Sequence, residues 1–248
     1  MQADSTRLAG PTLTTAQRLA LLAALALATV LALGGCASAP GLVLHEVGRA
    51  DLRRPGEYIN ANAEQARQGL RIDRGGQALA AEIGMALATG DVIESGPGML
   101  AVIRFPEGHE ATLLPRTKVQ IGSLTTFFGD IYVRAFDTVQ ALKERFKVKT
   151  EYVTAGVEGT AFWVRVAPDH SATFGVVEGR IELTSPGAVW QAVPVLPGEV
   201  AAVGRDGPPV KTIQPRDQVD AIVRLMRSGV HFTARPPPMP RLPANVPR

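Results

Sequence analysis

The sequence predicts an all-β fold: a mainly antiparallel sandwich or β-roll with one short inserted helix and a C-terminal helix. Three observations predict it. The 248 residues hold 25 glycines and 19 prolines, more chain-breaking residues than an average protein carries. Short apolar runs alternate with period two, as in Ala101/Ile103/Phe105 against Val102/Arg104 and Phe146/Val148 against Lys147/Lys149. Turn signals return about every 8–12 residues, the rhythm of sandwiches and barrels. Charged residues are 20% and hydrophobics 46%, which excludes a disordered tail protein, a coiled coil and a collagen-like repeat. The length allows one large β domain or two small ones.

The chain opens on an export signal. Residues 1–18 carry Arg7 and Arg18 against Asp4. Leu19 to Leu33 then form an apolar run in which Thr29 is the one polar residue. That run falls short of the roughly 20 apolar residues a spanning helix needs, and it fits the core of a signal peptide. Leu33-Gly34-Gly35-Cys36 follows, and Cys36 is the single cysteine of the chain. The string resembles the bacterial lipobox, which implies signal cleavage after residue 35 and acylation of Cys36. Two or three acyl chains anchor a protein stably, where one is marginal. The expected location is the periplasmic face of a bacterial membrane. Ala37, standing where an Asp would retain a lipoprotein in the inner membrane, points to the outer one. With Cys36 acylated no thiol remains to pair, so the core must suffice without a disulfide.

Residues 36–69 read as a tether with a short helix. The helix spans 60–69, capped by Asn60 or Asn62 and stopped by Gly69. The β domain is expected over 70–204. Its strands are Leu70–Asp73, Val92–Ile93, Leu100–Phe105, Glu110–Leu114, Lys118–Ile121, Asp130–Arg134, Phe146–Val153, Ala161–Val166, Ala172–Val177, Arg180–Thr184, Val189–Val195 and Glu199–Val203. Turns are expected at Gly90-Asp91, Glu107-Gly108, Gly129-Asp130, Pro168-Asp169, Glu178-Gly179, Pro186-Gly187 and Pro197-Gly198. Val139, Leu142 and Phe146 give Asp137–Phe146 a helical stripe as an insert. A C-terminal segment, 205–234, holds a helix at Gln214–Ser228 with Val219, Ile222, Val223 and Met226 on one face and Gly229 as its stop. Residues 235–248 contain six prolines and read as a polyproline-type tail.

Chemistry-bearing motifs are weak throughout. His45, His109, His170 and His231 are far apart. His109-Glu110 begins like a zinc-protease helix, but Leu113 stands where the second histidine belongs, so no metal and no other cofactor is expected. Gly96-Pro97-Gly98 with Ala101 matches GxGxxA, yet a strand follows instead of a helix. The string Lys143, Arg145, Lys147 and Lys149 reads as a solvated face or as a patch for an anionic partner. A net charge of +3 gives no case for a nucleic-acid partner. Hydrolysis would need converging carboxylates such as Glu94, Glu107, Glu110 or Glu158, which their spacing does not select.

Several strings together resemble the FecR domain family. Gly84–Ile93 (GMALATGDVI) looks like G-x-x-L-x-x-GD-x-I. Leu100–Phe105, Gly108 and Leu113–Pro115 follow its strand–turn–strand pattern, and Thr117–Ile121 its T-x-(V/L)-x-I. Gly156-Val157-Glu158-Gly159-Thr160-Ala161-Phe162 is similar to its V-x-GT-x-F core. Glu178–Leu183 and Pro197-Gly198-Glu199 complete it. Glu151 and Glu158 depart from the proline and arginine often found there. The resemblance implies the β fold and a periplasmic setting. The 18 residues before the apolar run leave no room for the anti-sigma domain that typical FecR regulators carry. Gly156, Gly159, Thr160 and Phe162 are expected to form a structural turn, the glycines permitting positive φ and Phe162 anchoring the next strand. The expected role is a non-enzymatic, lipid-anchored binding, sensing or scaffold module that engages an envelope protein or glycan, by strand addition to an open edge. The alternative is an enzyme or accessory acting on cell-wall polymers. No oligomeric state follows from the sequence.

Overall fold

The computed structural model describes residues 41–54, 57–135 and 146–220. The lipobox string with Cys36, residues 137–145 of the expected inserted helix, the part of the expected C-terminal helix beyond residue 220 and the proline-rich tail lie outside the described residues.

Among the described residues, fifteen strands join into one hydrogen-bonded sheet. In chain order they are β1 (Val43–Ala50), β2 (Tyr58–Asn60), β3 (Leu70–Arg74), β4 (Gln77–Leu79), β5 (Val92–Ser95), β6 (Met99–Arg104), β7 (Glu110–Leu113), β8 (Lys118–Gln120), β9 (Thr125–Arg134), β10 (Phe146–Lys149), β11 (Thr154–Val166), β12 (Ala172–Thr184), β13 (Val193–Val195), β14 (Glu199–Val203) and β15 (Val210–Ile213). One helix, α1 (Ala63–Gly69), precedes β3. Its cap is Asn62. The Asn62 side chain accepts from the Gln65 N–H at 2.9 Å, and Gln65 Oε1 accepts from the Asn62 N–H at 3.0 Å. That reciprocal box decides between the two asparagines the sequence offered.

Three long strands organise the rest. The C-terminal half of β9 pairs with β7 and β11, while its N-terminal half pairs with β8. The C-terminal half of β11 pairs with β9, and its N-terminal half with β10. β12 pairs first with β14 and later with β13. The sheet thereby divides into two half-sheets that share these strands. One runs β2-β1-β6-β7-β9-β11-β12-β14-β15. The other runs β4-β3-β5-β8-β9, meets β10 through a single parallel pair, Lys149 with Thr125, and continues through β11 and β12 to β13. Ile72, Ile93 and Val119 from the second half join Ile103, Leu113, Ile131, Val164 and Phe174 from the first in one buried cluster. This is the expected all-β, mainly antiparallel class.

Several boundaries differ from the sequence expectation. Val43–Ala50, assigned to the tether, is a strand whose Leu44 and Val47 are buried in the core. A bulge between Leu44 and Glu46 shifts its register, which spaces the buried residues by three and hides the alternation. The β structure also extends past residue 204 to β15. Phe146, expected both at the end of a helix and at the start of a strand to Val153, begins β10, which ends at Lys149. Gly129-Asp130 and Glu178-Gly179, expected as turns, lie inside β9 and β12.

A buried ion pair ties the two-stranded β3–β4 unit to the loop before β5. Asp91 has no exposed surface, and Arg74 holds it through Nε and Nη2, each at 2.8 Å. The Ala88 N–H donates to the same carboxylate at 2.8 Å. This explains the Gly90-Asp91 pair: Gly90 takes a φ of +96° and delivers the aspartate inward.

Candidate functional site

The expected turn at Gly156, Gly159, Thr160 and Phe162 is not a turn. All four lie within β11, and the irregularity is a bulge between Glu158 and Phe162 against β12. Gly159 takes a φ of +48° and faces Gly179 of β12, whose φ is +77°. A Cβ on Gly179 would collide with the Gly159 carbonyl. The Thr160 hydroxyl donates to the Arg180 carbonyl at 2.9 Å and so crosses the same bulge. Phe162 is fully buried in the core. The motif bends two paired strands together where they pass from one half-sheet to the other. Its closed, backbone-lined geometry suits that structural work.

Glu94, Glu107 and Glu110 stand on separate segments, on β5, in the turn after β6 and on β7. Glu94 stands in register between Arg71 on β3 and Lys118 on β8. Glu110 is held by Arg104, with Oε1 at 2.7 Å from Nη2. Glu107 sits in the turn between β6 and β7, and Glu158 is on β11. Lys147 and Lys149 are exposed on β10. Among the described residues, no three His, Cys, Asp or Glu side chains gather in a metal-binding group.

The edges of the sheet carry more information. Exposed backbone edges invite pairing with another chain unless something blunts them. β2 and β4 are three residues long. β13 holds Pro194 at its centre, which removes a donor. β15 differs: all four residues are exposed, with Ile213 at 78% and Val210 at 42%. Its lysine, a common edge guard, is turned away. Lys211 Nζ binds Glu199 Oε2 at 2.6 Å and the Pro194 carbonyl at 3.1 Å. Burial alone would raise the Glu199 carboxyl. The bonds from Lys211 and from the Leu196 N–H outweigh that and hold it below its ordinary value. Leu196, 46% exposed, adds apolar surface in the β13–β14 turn next to β14. The edge was not singled out in the sequence because Val210–Ile213 has no buried face to impose alternation.

No curated protein matches the chain. Two crystal structures of a candidate anti-sigma factor from Parabacteroides distasonis ATCC 8503, at 1.65 Å and 2.50 Å resolution, are similar to it. Each is 19% identical with a TM-score of 0.45, over 54% of this chain and 64% of the other. The similarity thus spans less than two thirds of those proteins. Residues 91–182, from the buried Asp91 into the second half of β12, match the family described as FecR protein.

Proposed function

We propose that this chain is a non-enzymatic sensing or scaffold module, lipid-anchored at Cys36 on the periplasmic face of a bacterial outer membrane, that engages an envelope protein through β15. The observation that carries the reading is the open edge: four exposed residues, an apolar Ile213, and a lysine drawn off to Glu199. An extended segment of a partner would add there as a further antiparallel strand, its main chain supplying affinity and its alternate side chains specificity. The FecR-family match supports a regulatory rather than a catalytic role. Among the described residues no helix is long and apolar enough to cross a membrane; the lipobox string ending at Cys36 is what supports an acyl anchor.

Two substitutions test this. Ile213→Lys places a charge on the edge opposite Glu199, where folding stability should change by no more than about 0.5 kcal/mol. Partner recovered by crosslinking from the native envelope should fall to background with this variant. Undiminished recovery would refute β15 as the site. Cys36→Ser should move the protein from the membrane fraction to the soluble periplasmic fraction, and retention in the membrane would refute the acyl anchor.

A further inference from the structure

The outer face of the second half-sheet presents a row of charged and aromatic side chains. Arg71 of β3, Glu94 of β5, Lys118 of β8 and Phe128 of β9 stand opposite one another on neighbouring strands. The row spans three strand spacings, about 14 Å. Leu70, Ile72, Ile93 and Val119, their neighbours along the strands, are buried, so strand alternation turns the row outward.

A bulge supplies a second ring. Lys118 pairs with Phe128 and Val119 with Thr126, which leaves Phe127 as the extra residue on β9. In a regular strand one of two successive side chains would enter the core. Here both rings stay outside, Phe127 at 38% and Phe128 at 36% exposure. Bulges re-aim side chains in this way and are over-represented next to active sites. The two rings border two grooves. One, of about 750 Å³, runs over Arg71, Val92, Glu94 and Lys118. The other, of about 580 Å³, runs past Pro115, Arg116 and Pro168. Both volumes fall in the range of ligand sites, and the shared rings join the grooves into one track.

The charge on this track is uncommitted. Elsewhere ions close into pairs: Arg74 with Asp91, Arg104 with Glu110, Arg165 with Asp130 and Lys211 with Glu199. Among the described residues, no ion pair or side-chain hydrogen bond holds Arg71, Glu94, Lys118 or Arg116. Three cations thus accompany one carboxylate. The backbone offers nothing further, because β5 is paired with both β3 and β8, and β8 with both β5 and β9. A partner strand cannot add there. Recognition must come from side chains on a sheet face: rings that stack, cations that donate and a carboxylate that accepts. Strand faces flanked by loops bind oligosaccharides in this manner in some small barrels.

We infer that this track binds a linear polysaccharide bearing carboxylates. Phe127 and Phe128 stack on the sugar rings. Arg71, Lys118 and Arg116 bind the carboxylates, and Glu94 accepts from hydroxyls between them. Glu94 stands inside the row, where it repels the unbroken anionic backbone of a nucleic acid. The track is separate from β15 and does not depend on that edge.

The test titrates the full chain, extracted in detergent, with linear polysaccharides by isothermal titration calorimetry. Polygalacturonate, alginate and cell-wall glycan strands are the carboxylated probes, and dextran is the neutral one. At least one carboxylated probe should bind, and dextran about tenfold more weakly or not at all. Phe127→Ala with Phe128→Ala, and separately Lys118→Glu, should each weaken binding about tenfold. The unfolding midpoint should stay near the parent's, since these side chains lie outside the core. Ile213→Lys should leave the affinity unchanged, which separates this site from β15. No binding of any carboxylated probe, equal binding of dextran, or parent affinity in the double alanine variant would overturn the proposal. So would tighter binding of polyglutamate or of single-stranded DNA, since the occupant would then be a peptide or a nucleic acid.

Discussion

Gly179→Ala is expected to destabilise the protein by about 3–4 kcal/mol, and Gly187→Ala by only about 1 kcal/mol. Both glycines sit at similar positive φ, +77° and +74°. The backbone strain of an added Cβ, about 1–2 kcal/mol, is therefore common to both. The difference lies in space. A Cβ on Gly187 meets nothing within 4 Å, whereas one on Gly179 meets the Gly159 carbonyl and Thr160 Cα. Those are backbone atoms of the paired strand and cannot swing aside as a side chain would. Overpacking of that kind adds about 1–3 kcal/mol. Urea unfolding of the two variants beside the parent measures the contrast through the shift in midpoint. Equal losses would show that the β11–β12 crossing tolerates an opening that its geometry forbids.

The same crossing shows what could and could not be read in advance. The all-β class was legible because it rests on period-two alternation, and strands such as β6, β7 and β14 lie close to where alternation placed them. Glycine was misread as punctuation. At Gly129 and Gly179 the residue bends a strand that continues, and positive φ alone does not distinguish a bend from a reversal. Sequence distinguishes them only through the length of the flanking runs, and here each run was short enough to pass for a strand of its own. β1 was missed for a related reason, since its bulge breaks the period on which recognition depends. β15 was missed because an exposed edge imposes no pattern. The candidate site therefore falls where sequence logic is weakest. Partner binding by an edge needs unpaired backbone, and backbone is the same in every residue.

Asp91→Asn is the other change with a large expected effect, and it carries a pH signature. Near neutral pH the substitution should cost about 2–3 kcal/mol. Breaking a buried pair ordinarily costs about 3–5 kcal/mol, but the Arg74 side chain is 45% exposed and can rehydrate once its partner is lost. Asparagine also keeps an oxygen that can accept from the Ala88 N–H. The hydrogen bonds from Arg74, reinforced by that N–H against the opposing effect of burial, hold the Asp91 carboxyl below its ordinary value. A carboxyl lowered by folding contributes stability that is fully present above its unfolded pKa and disappears as pH falls through its folded pKa. The contribution should thus begin to decline at about pH 4, where free aspartate titrates, and vanish at more acidic pH. The Asn variant has no such proton to take up. Unfolding free energies of parent and variant should differ most at pH 7 and converge as the solution is acidified through the lowered folded pKa of Asp91. A gap that stayed constant with pH would mean that the loss comes from side-chain packing rather than from the charge. The Gly90-Asp91 pair would then owe its place to the turn and not to the ion pair with Arg74.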